Sequence, residues 1–450
     1  MKFRGLFIAV VVLAVLTGLL YWSNHRKPGE DSSVKAALNS APRILSLSQQ
    51  DIVQISIQHY AQQPIDLVKN DSGTWQITQP TPLAADQEAV SSLLSSLSAL
   101  DSDRLIEAKV SDLAPYGLDS PRLALSVTRK DKRSEKLLIG DRTPTGNFYY
   151  AMLAGDPRLF TLATYNESSL DKSANDLRDK KLITADFDKV SQIEFSNFSP
   201  GKKAQITFVR NKSAWQILKP QPYRTDNFLA EELVRSLKDA KIELDPSFDA
   251  KKDAAAFQSA SPFASVKVVG ASGTQELQVR KLKDDYYAKS SVLSGVYKVP
   301  SSVGTSLNKS LDDFRDKKLF DFGYADPDQV EIHDGDKSYY ITRSGSDWWG
   351  PDGKKWDSSL VESVLDKLRD LSATTFPASG FIIPSLRISV LSNDKKRHES
   401  VELAKGKDTY IAKRDGETAW YAIPTSSVTE LEKSAAALKP PAPPIPSAKK

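Results

Sequence analysis

The sequence predicts an α+β chain: an N-terminal transmembrane helix followed by three tandem related domains, each an antiparallel sheet with a packed helix. Three observations predict it. A charge-free apolar run opens the chain, and a Trp-centred motif recurs ahead of an amphipathic stretch. An octapeptide is also written nearly twice, as DLRDKKLI at Asp176–Ile183 and DFRDKKLF at Asp313–Phe320.

The opening element is Leu6–Trp22, seventeen residues without a charge, preceded by Lys2 and Arg4. That length is close to the shortest span and exceeds the apolar core of a cleaved signal. Tyr21 and Trp22 close the run where interfacial aromatics belong, and no small-x-small cleavage signature follows. A signal anchor at 6–22 is therefore expected to hold the chain in the lipid bilayer of the bacterial cytoplasmic membrane. Residues 1–5 would stay cytoplasmic, with the bulk of the chain on the periplasmic or extracytoplasmic side. A linker at 23–50 follows.

The repeated elements come next. TWQITQP at Thr74–Pro80 returns as AWQILKP at Ala214–Pro220, and DWWGPDG at Asp347–Gly353 is a degraded third form. Behind each lies a helical stripe: Val90, Leu93, Leu94, Leu97 and Leu100; then Leu229, Leu233 and Leu237; then Leu360, Val361, Val364, Leu365 and Leu368. Spacings of three and four lay such residues along one face. Asp86, Asp226 and Asp357 or Ser358 stand where capping residues belong. Alternating runs such as DIVQISIQHY precede each Trp, and further strand-like runs follow each helix, led by Pro121, Pro262 and Pro384. A period this long indicates tandem domains and not a solenoid. The expected bounds are 51–186, 187–324 and a divergent 325–438. Short terminal helices are expected at Asn166–Asp176 and Ser301–Asp313. The octapeptide then reads as a junction whose charged residues Arg178, Asp179, Lys180 and Lys181 stay solvated. It is absent after the third copy, where a Pro/Ala/Lys-rich tail at 439–450 is expected to be disordered.

Taken in order, TWQITQP, the amphipathic helix, YGLDSPRLALSV at Tyr116–Val127, LLIG with FYYAML, and LRDKKL resemble a bacterial membrane-anchored domain-of-unknown-function family with tandem copies. Its members are often encoded beside ABC transporters of the gliding-motility type. The resemblance covers most of Asp51–Phe320. It implies a transport-associated accessory role and an integral membrane partner, an ABC transporter permease. Neighbourhood is its only warrant.

The residues themselves offer little chemistry. The absence of cysteine excludes thiol catalysis and thiolate metal sites. The four histidines, His25, His59, His333 and His398, stand apart in sequence, and strand-end surface positions are expected for His59 and His333. No nucleophile elbow, Walker loop or dinucleotide fingerprint occurs, and adjacent carboxylates such as Asp334 and Asp336 fit turns. The 61 basic and 57 acidic residues are well mixed, so no nucleic-acid partner is expected. Accordingly no catalytic, cofactor or metal residue is predicted, and the chain is not expected to be an enzyme. One constellation stands out: Trp348, Trp349 and Trp356 within SDWWGPDGKKW, where the repeat needs a single tryptophan. Aromatic faces on loops serve partner or glycan contact. The function expected is that of a non-enzymatic, membrane-anchored accessory or scaffold subunit of a membrane transport complex. The alternative is a cell-wall glycan or envelope-polymer binding module that uses those tryptophans.

Overall fold

The computed structural model describes residues 42–244, 248–322 and 327–441. It corrects the α+β expectation, because the chain is mostly β: 42 % strand and 23 % helix, in four antiparallel sheets. Part of the reason lies in strands that lack alternation. Leu159–Ala163 is buried at four successive positions, and Tyr297–Val299 and Trp420–Pro424 directly precede helices. Short continuous apolar runs of this kind carry no period of two by which to recognise them. The expected spanning segment 6–22 lies outside the described residues. Among the described residues no helix is long and apolar enough to cross a membrane.

Contacts divide the chain into two compact units at Lys180/Lys181. The first holds a nine-stranded sheet. Its spatial order is Leu83–Ala84, Trp75–Gln79, Ile65–Lys69, Ile52–His59, Leu123–Arg129, Ser134–Arg142, Phe148–Leu153, Leu159–Ala163 and Arg104–Glu107. A two-stranded ribbon pairs Arg43–Ser46 with Ala99–Asp101. The second unit holds two seven-stranded sheets of the same order. One runs Ala214–Lys219, Ala204–Asn211, Val190–Asn197, Ser261–Gly270, Gly273–Leu282, Asp285–Ser290, Tyr297–Val299. The other runs Asp347–Trp349, Lys337–Ser344, Gln329–Asp334, Leu386–Ser392, Arg397–Lys405, Thr409–Arg414, Trp420–Pro424.

The helix after each Trp strand buries most of its expected stripe, but Leu100 falls in the strand Ala99–Asp101, and Leu229 and Leu360 are half-buried. Asp86, Asp226 and Asp357 accept backbone N–H groups of the first turn of helices Gln87–Ser98, Asn227–Asp239 and Ser358–Asp370. Val90, Leu93, Leu94 and Leu97 are buried in the first, Ala230, Leu233, Val234 and Leu237 in the second, Val361, Val364, Leu365 and Leu368 in the third. Each buried Val or Leu side chain among them contributes roughly 1.5–3 kcal/mol. The expected terminal helices are each broken in two: Thr164–Leu170 with Ala174–Leu177, and Ser301–Ser306 with Leu311–Phe314. Ser173 and Ser310 cause the restart, since each forms a capping box with the aspartate three residues on.

The recurrent tryptophan closes the sheet edge against the helix. The Trp75 N–H donates to Gln87 Oε1 at 2.9 Å, and Gln87 Nε2 donates back to the Trp75 carbonyl at 3.0 Å. The Trp215 N–H donates likewise to Asn227 Oδ1 at 2.7 Å. A cation from the neighbouring strand lies over each ring: Lys69 on Trp75 at 5.9 Å, Arg210 on Trp215 at 5.1 Å, Arg343 on Trp348 at 5.7 Å. The pairing register makes each a direct cross-strand neighbour.

The YGLDSP segment has an equally specific fit. Gly117 sits at φ +65°, the left-handed C-cap of a short turn. Gly140 lies so close to it that a Cβ there would stand 2.1 Å from the Tyr116 carbonyl oxygen. Gly140→Ala should therefore cost about 1–3 kcal/mol through backbone displacement. Urea denaturation would read this as an earlier transition, and an unchanged midpoint would refute the packing argument.

Candidate functional site

The octapeptide at Asp313–Phe320 runs between the two sheets of the second unit, and its fit there borders a cleft. Its first half pairs with the segment before the Asn227–Asp239 helix: Thr225 bridges Arg315, and the Asp316 N–H donates to the Arg224 carbonyl at 3.0 Å. Its second half pairs with the segment after the Ser358–Asp370 helix, where Lys318 bridges Ser372 and the Leu319 N–H donates to the Leu371 carbonyl at 3.0 Å. The strap thus ties one sheet's helix start to the next sheet's helix end.

Arg315 corrects the expectation of a solvated charged strap. It is buried, at 7 % exposure, and its guanidinium lies 4.1 Å from the Tyr223 ring centroid and 3.5 Å from that of Phe376. Arginine suits this position because its weakly hydrated plane stacks on aromatic faces. The equivalent Arg178 of the first unit is also buried at 7 %.

Beside Arg315 opens a cleft of about 1140 Å³, bordered by Gln216, Arg224, Asp316, Lys318, Asp321 and Glu417. Arg224 sits at its centre. Its guanidinium pairs closely with Asp316, donates to the Lys318 carbonyl at 2.5 Å, and lies 3.9 Å from Glu417. Behind it, Arg414 Nε donates to Glu417 at 2.8 Å and Arg414 Nη2 to Glu399 at 3.1 Å. Arg397 joins Glu399 at 3.4 Å and Asp321 at 2.9 Å. Glu399, only 5 % exposed, also accepts the Asp321 N–H at 3.2 Å. The network spans both sheets, so its charges are held by partners rather than by water.

Burial pushes the Asp316 carboxyl above its ordinary range, against the pull of Arg224. Burial also raises the Tyr421 hydroxyl, helped by the hydrogen bond it donates to Glu417. Burial would lower Arg414, but the Glu417 and Glu399 carboxylates outweigh it and hold the guanidinium above its usual value. Every carboxylate at the centre is engaged, whereas the Lys317 and Lys318 ammoniums have no ion-pair partner among the described residues. The arrangement offers paired charges and main-chain edges to a ligand. Among the described residues no group of three or more His, Asp or Glu converges as a metal site.

The three tryptophans singled out by sequence lie elsewhere in this unit. Trp348 is in the core at 6 % exposure. Trp349 is half-buried on the edge strand, its indole N–H shielded and without a hydrogen-bond partner. Trp356 is half-buried, donates its indole N–H to the Tyr340 carbonyl at 3.1 Å, and presses on Gly350. Trp348 and Trp356 are joined through the main chain, by the Trp356 N–H to the Trp348 carbonyl at 2.8 Å.

Sequence reasoning missed a second polar cluster, in the first unit. His59 is half-buried, with Nε2 2.7 Å from Asp171 Oδ1, and Arg122 donates to Asp171 at 3.0 Å and pairs closely with buried Glu167. Burial opposes ionisation of Asp171, but the His59 and Arg122 bonds prevail and lower its carboxyl. Asn197, at the matching strand end of the next sheet, instead donates to the Leu307 and Lys309 carbonyls at 3.1 and 3.0 Å. Both side chains tie the first strand to the terminal helix region. Their shared place at a strand end was the available signal.

A family model described as Domain of unknown function (DUF4340) matches residues 75–243 and, in a second tandem copy, 215–384. No curated protein matches the chain.

The Asp316 shift carries a prediction. A folded-state value above the unfolded one means this carboxyl favours folding below the unfolded value, and that contribution is lost as pH rises through the folded one. Asp316→Asn should therefore be as stable as the parent, or more stable, at neutral pH, with the difference closing near about pH 4. Urea denaturation at both pH values tests it, and a marked loss of stability at neutral pH would overturn the assignment.

Proposed function

The chain belongs to the DUF4340 family, whose domain carries no assigned function, and we propose that it is a non-enzymatic accessory or scaffold subunit of a membrane transport complex in the bacterial envelope. The observation that carries this reading is the central cleft. Asp316, Asp321 and Glu417 are each engaged by arginine, so the surface is polar, wide and chemically committed. A reacting centre needs a group free to attack or exchange a proton. A surface of satisfied ion pairs with main-chain edges suits a polypeptide segment.

Localisation at the cytoplasmic membrane rests on the sequence. The apolar run 6–22 behind Lys2 and Arg4 supports retention at the bilayer, with the sheets on the extracytoplasmic side. The partner that fits is an integral membrane protein, with an ABC transporter permease as the specific candidate from the family resemblance.

Affinity purification of the full-length chain from crosslinked membranes tests the proposal. Stoichiometric recovery of permease subunits is expected, and recovery of the chain alone from a well-solubilised sample would overturn it. A second reading, glycan contact at Trp349 and Trp356, draws on their half-exposed rings beside an edge strand. It requires a tryptophan fluorescence change with cell-wall sugars that is lost in Trp349→Ala, and equal responses of parent and variant would end it.

A further inference from the structure

In each sheet a segment that can lie on the sheet comes after the long helix and just before the strand that starts at Leu123, Ser261 or Leu386. In the first sheet this segment folds down, with Leu118 buried at 2 % beside Met152 and Leu159. In the second sheet the Ala250–Ser259 helix does the same, burying Phe257 to 4 % under the Arg280 guanidinium. In the third sheet only Phe381 is engaged, tilted against Trp420 at 6.3 Å with the Lys413 ammonium 5.9 Å from its ring. The next two residues, Ile382 and Ile383, are 79 % and 78 % exposed, more than any other large hydrophobic among the described residues.

The loop is held at its base. Gly380 takes φ +118° and lies against Ile411, Ser385 N–H donates to the Leu403 carbonyl at 2.9 Å, and the Ser385 carbonyl accepts the Gly335 N–H at 3.2 Å. Those contacts place the loop beside two turns, 334–337 and 405–408. At this end of the sheet Lys337, Lys405 and Lys407 stand with Asp334, Asp336 and Asp408, while Lys413 lies farther along its strand, opposite Glu402. The four lysines form no ion pair among the described residues.

We propose that the Phe381–Ile383 loop is a membrane-surface contact, its isoleucines entering the interface of a bilayer while Lys405, Lys407 and Lys413 meet anionic headgroups. This rests on the membrane localisation argued above. An adjacent exposed aliphatic pair backed by Phe381, with the Lys413 ammonium near that ring and Lys405 and Lys407 at the adjoining turn, matches the bilayer boundary in both layers, apolar below and anionic above.

The chain contains no cysteine, so Ile383→Cys in the full-length protein carries a single polarity-sensitive label, with Asp394→Cys at the opposite end of the sheet as its control. Both are reconstituted in vesicles of phosphatidylethanolamine and phosphatidylglycerol. The 383 label is expected to shift to the blue, resist aqueous iodide and be quenched by lipid-borne nitroxide, while the 394 label stays open to iodide. Ile382→Asp should abolish the protection. Lys405→Gln and Lys407→Gln should each lower the protected-to-open ratio about fivefold, as should, more strongly, phosphatidylcholine vesicles.

Equal iodide access at both positions would overturn the proposal. Protection that arises in detergent and grows with protein concentration would also overturn it, assigning the loop to a second copy of the chain. Vesicle flotation separates the premises. A chain that does not float refutes the membrane localisation, and one that floats with an open 383 label refutes the loop contact alone.

Discussion

The capping aspartate ahead of each long helix is the node on which the architecture depends. Its carboxylate accepts first-turn N–H groups, and its own N–H is donated across the fold: Asp86 to the Leu177 carbonyl at 2.8 Å, Asp226 to Phe314 at 2.8 Å, Asp357 to Lys439 at 3.0 Å. One residue therefore fixes where the helix starts and which later segment returns to it. A cap contributes about 1 kcal/mol and a net hydrogen bond about as much. Their weight lies in geometry, because they set the register at which the apolar stripe meets the sheet. In the third copy the octapeptide is absent, yet Lys439 supplies the same main-chain acceptor. The main-chain contact is kept where the side chains of the strap are not.

Much of this was legible in the sequence, for local reasons. The helical stripes, the three aspartates and the Trp strands obey short-range periodicity, and the structure places them as those periods require. The fold class was misread because strands such as Leu159–Ala163 lack alternation and adjoin helices. The cleft was invisible for a different reason. Arg224 is distant in sequence from Glu399, Arg414 and Glu417, the four form no motif, and the strap's RDKK reads as a solvated charge run. Its arginine is buried only because Tyr223 and Phe376 converge on it from two sheets. A stack of that kind is a property of tertiary placement and leaves no period behind.

The phase of the family match bears on how the fold is organised. The second match begins at Trp215 and ends at Pro384, so it starts inside one sheet and stops just before the second half of the next. That interval contains the edge strand, its helix, the remaining strands of the second sheet, the strap, and the third sheet up to the helix end the strap bonds to. The backbone-to-backbone contacts of the Asp313–Phe320 strap fall within it (Thr225 with Arg315, Lys318 with Ser372, Leu319 with Leu371), while the Leu319 carbonyl also accepts Arg414 from beyond it. The interval is closed under those hydrogen bonds, whereas a boundary drawn around a single sheet would cut them. The strap is therefore a joint between the two sheets of the second unit. A joint of that construction, with Arg315 stacked at its centre and Arg224 bridging carboxylates of both sides, resists relative movement of the sheets.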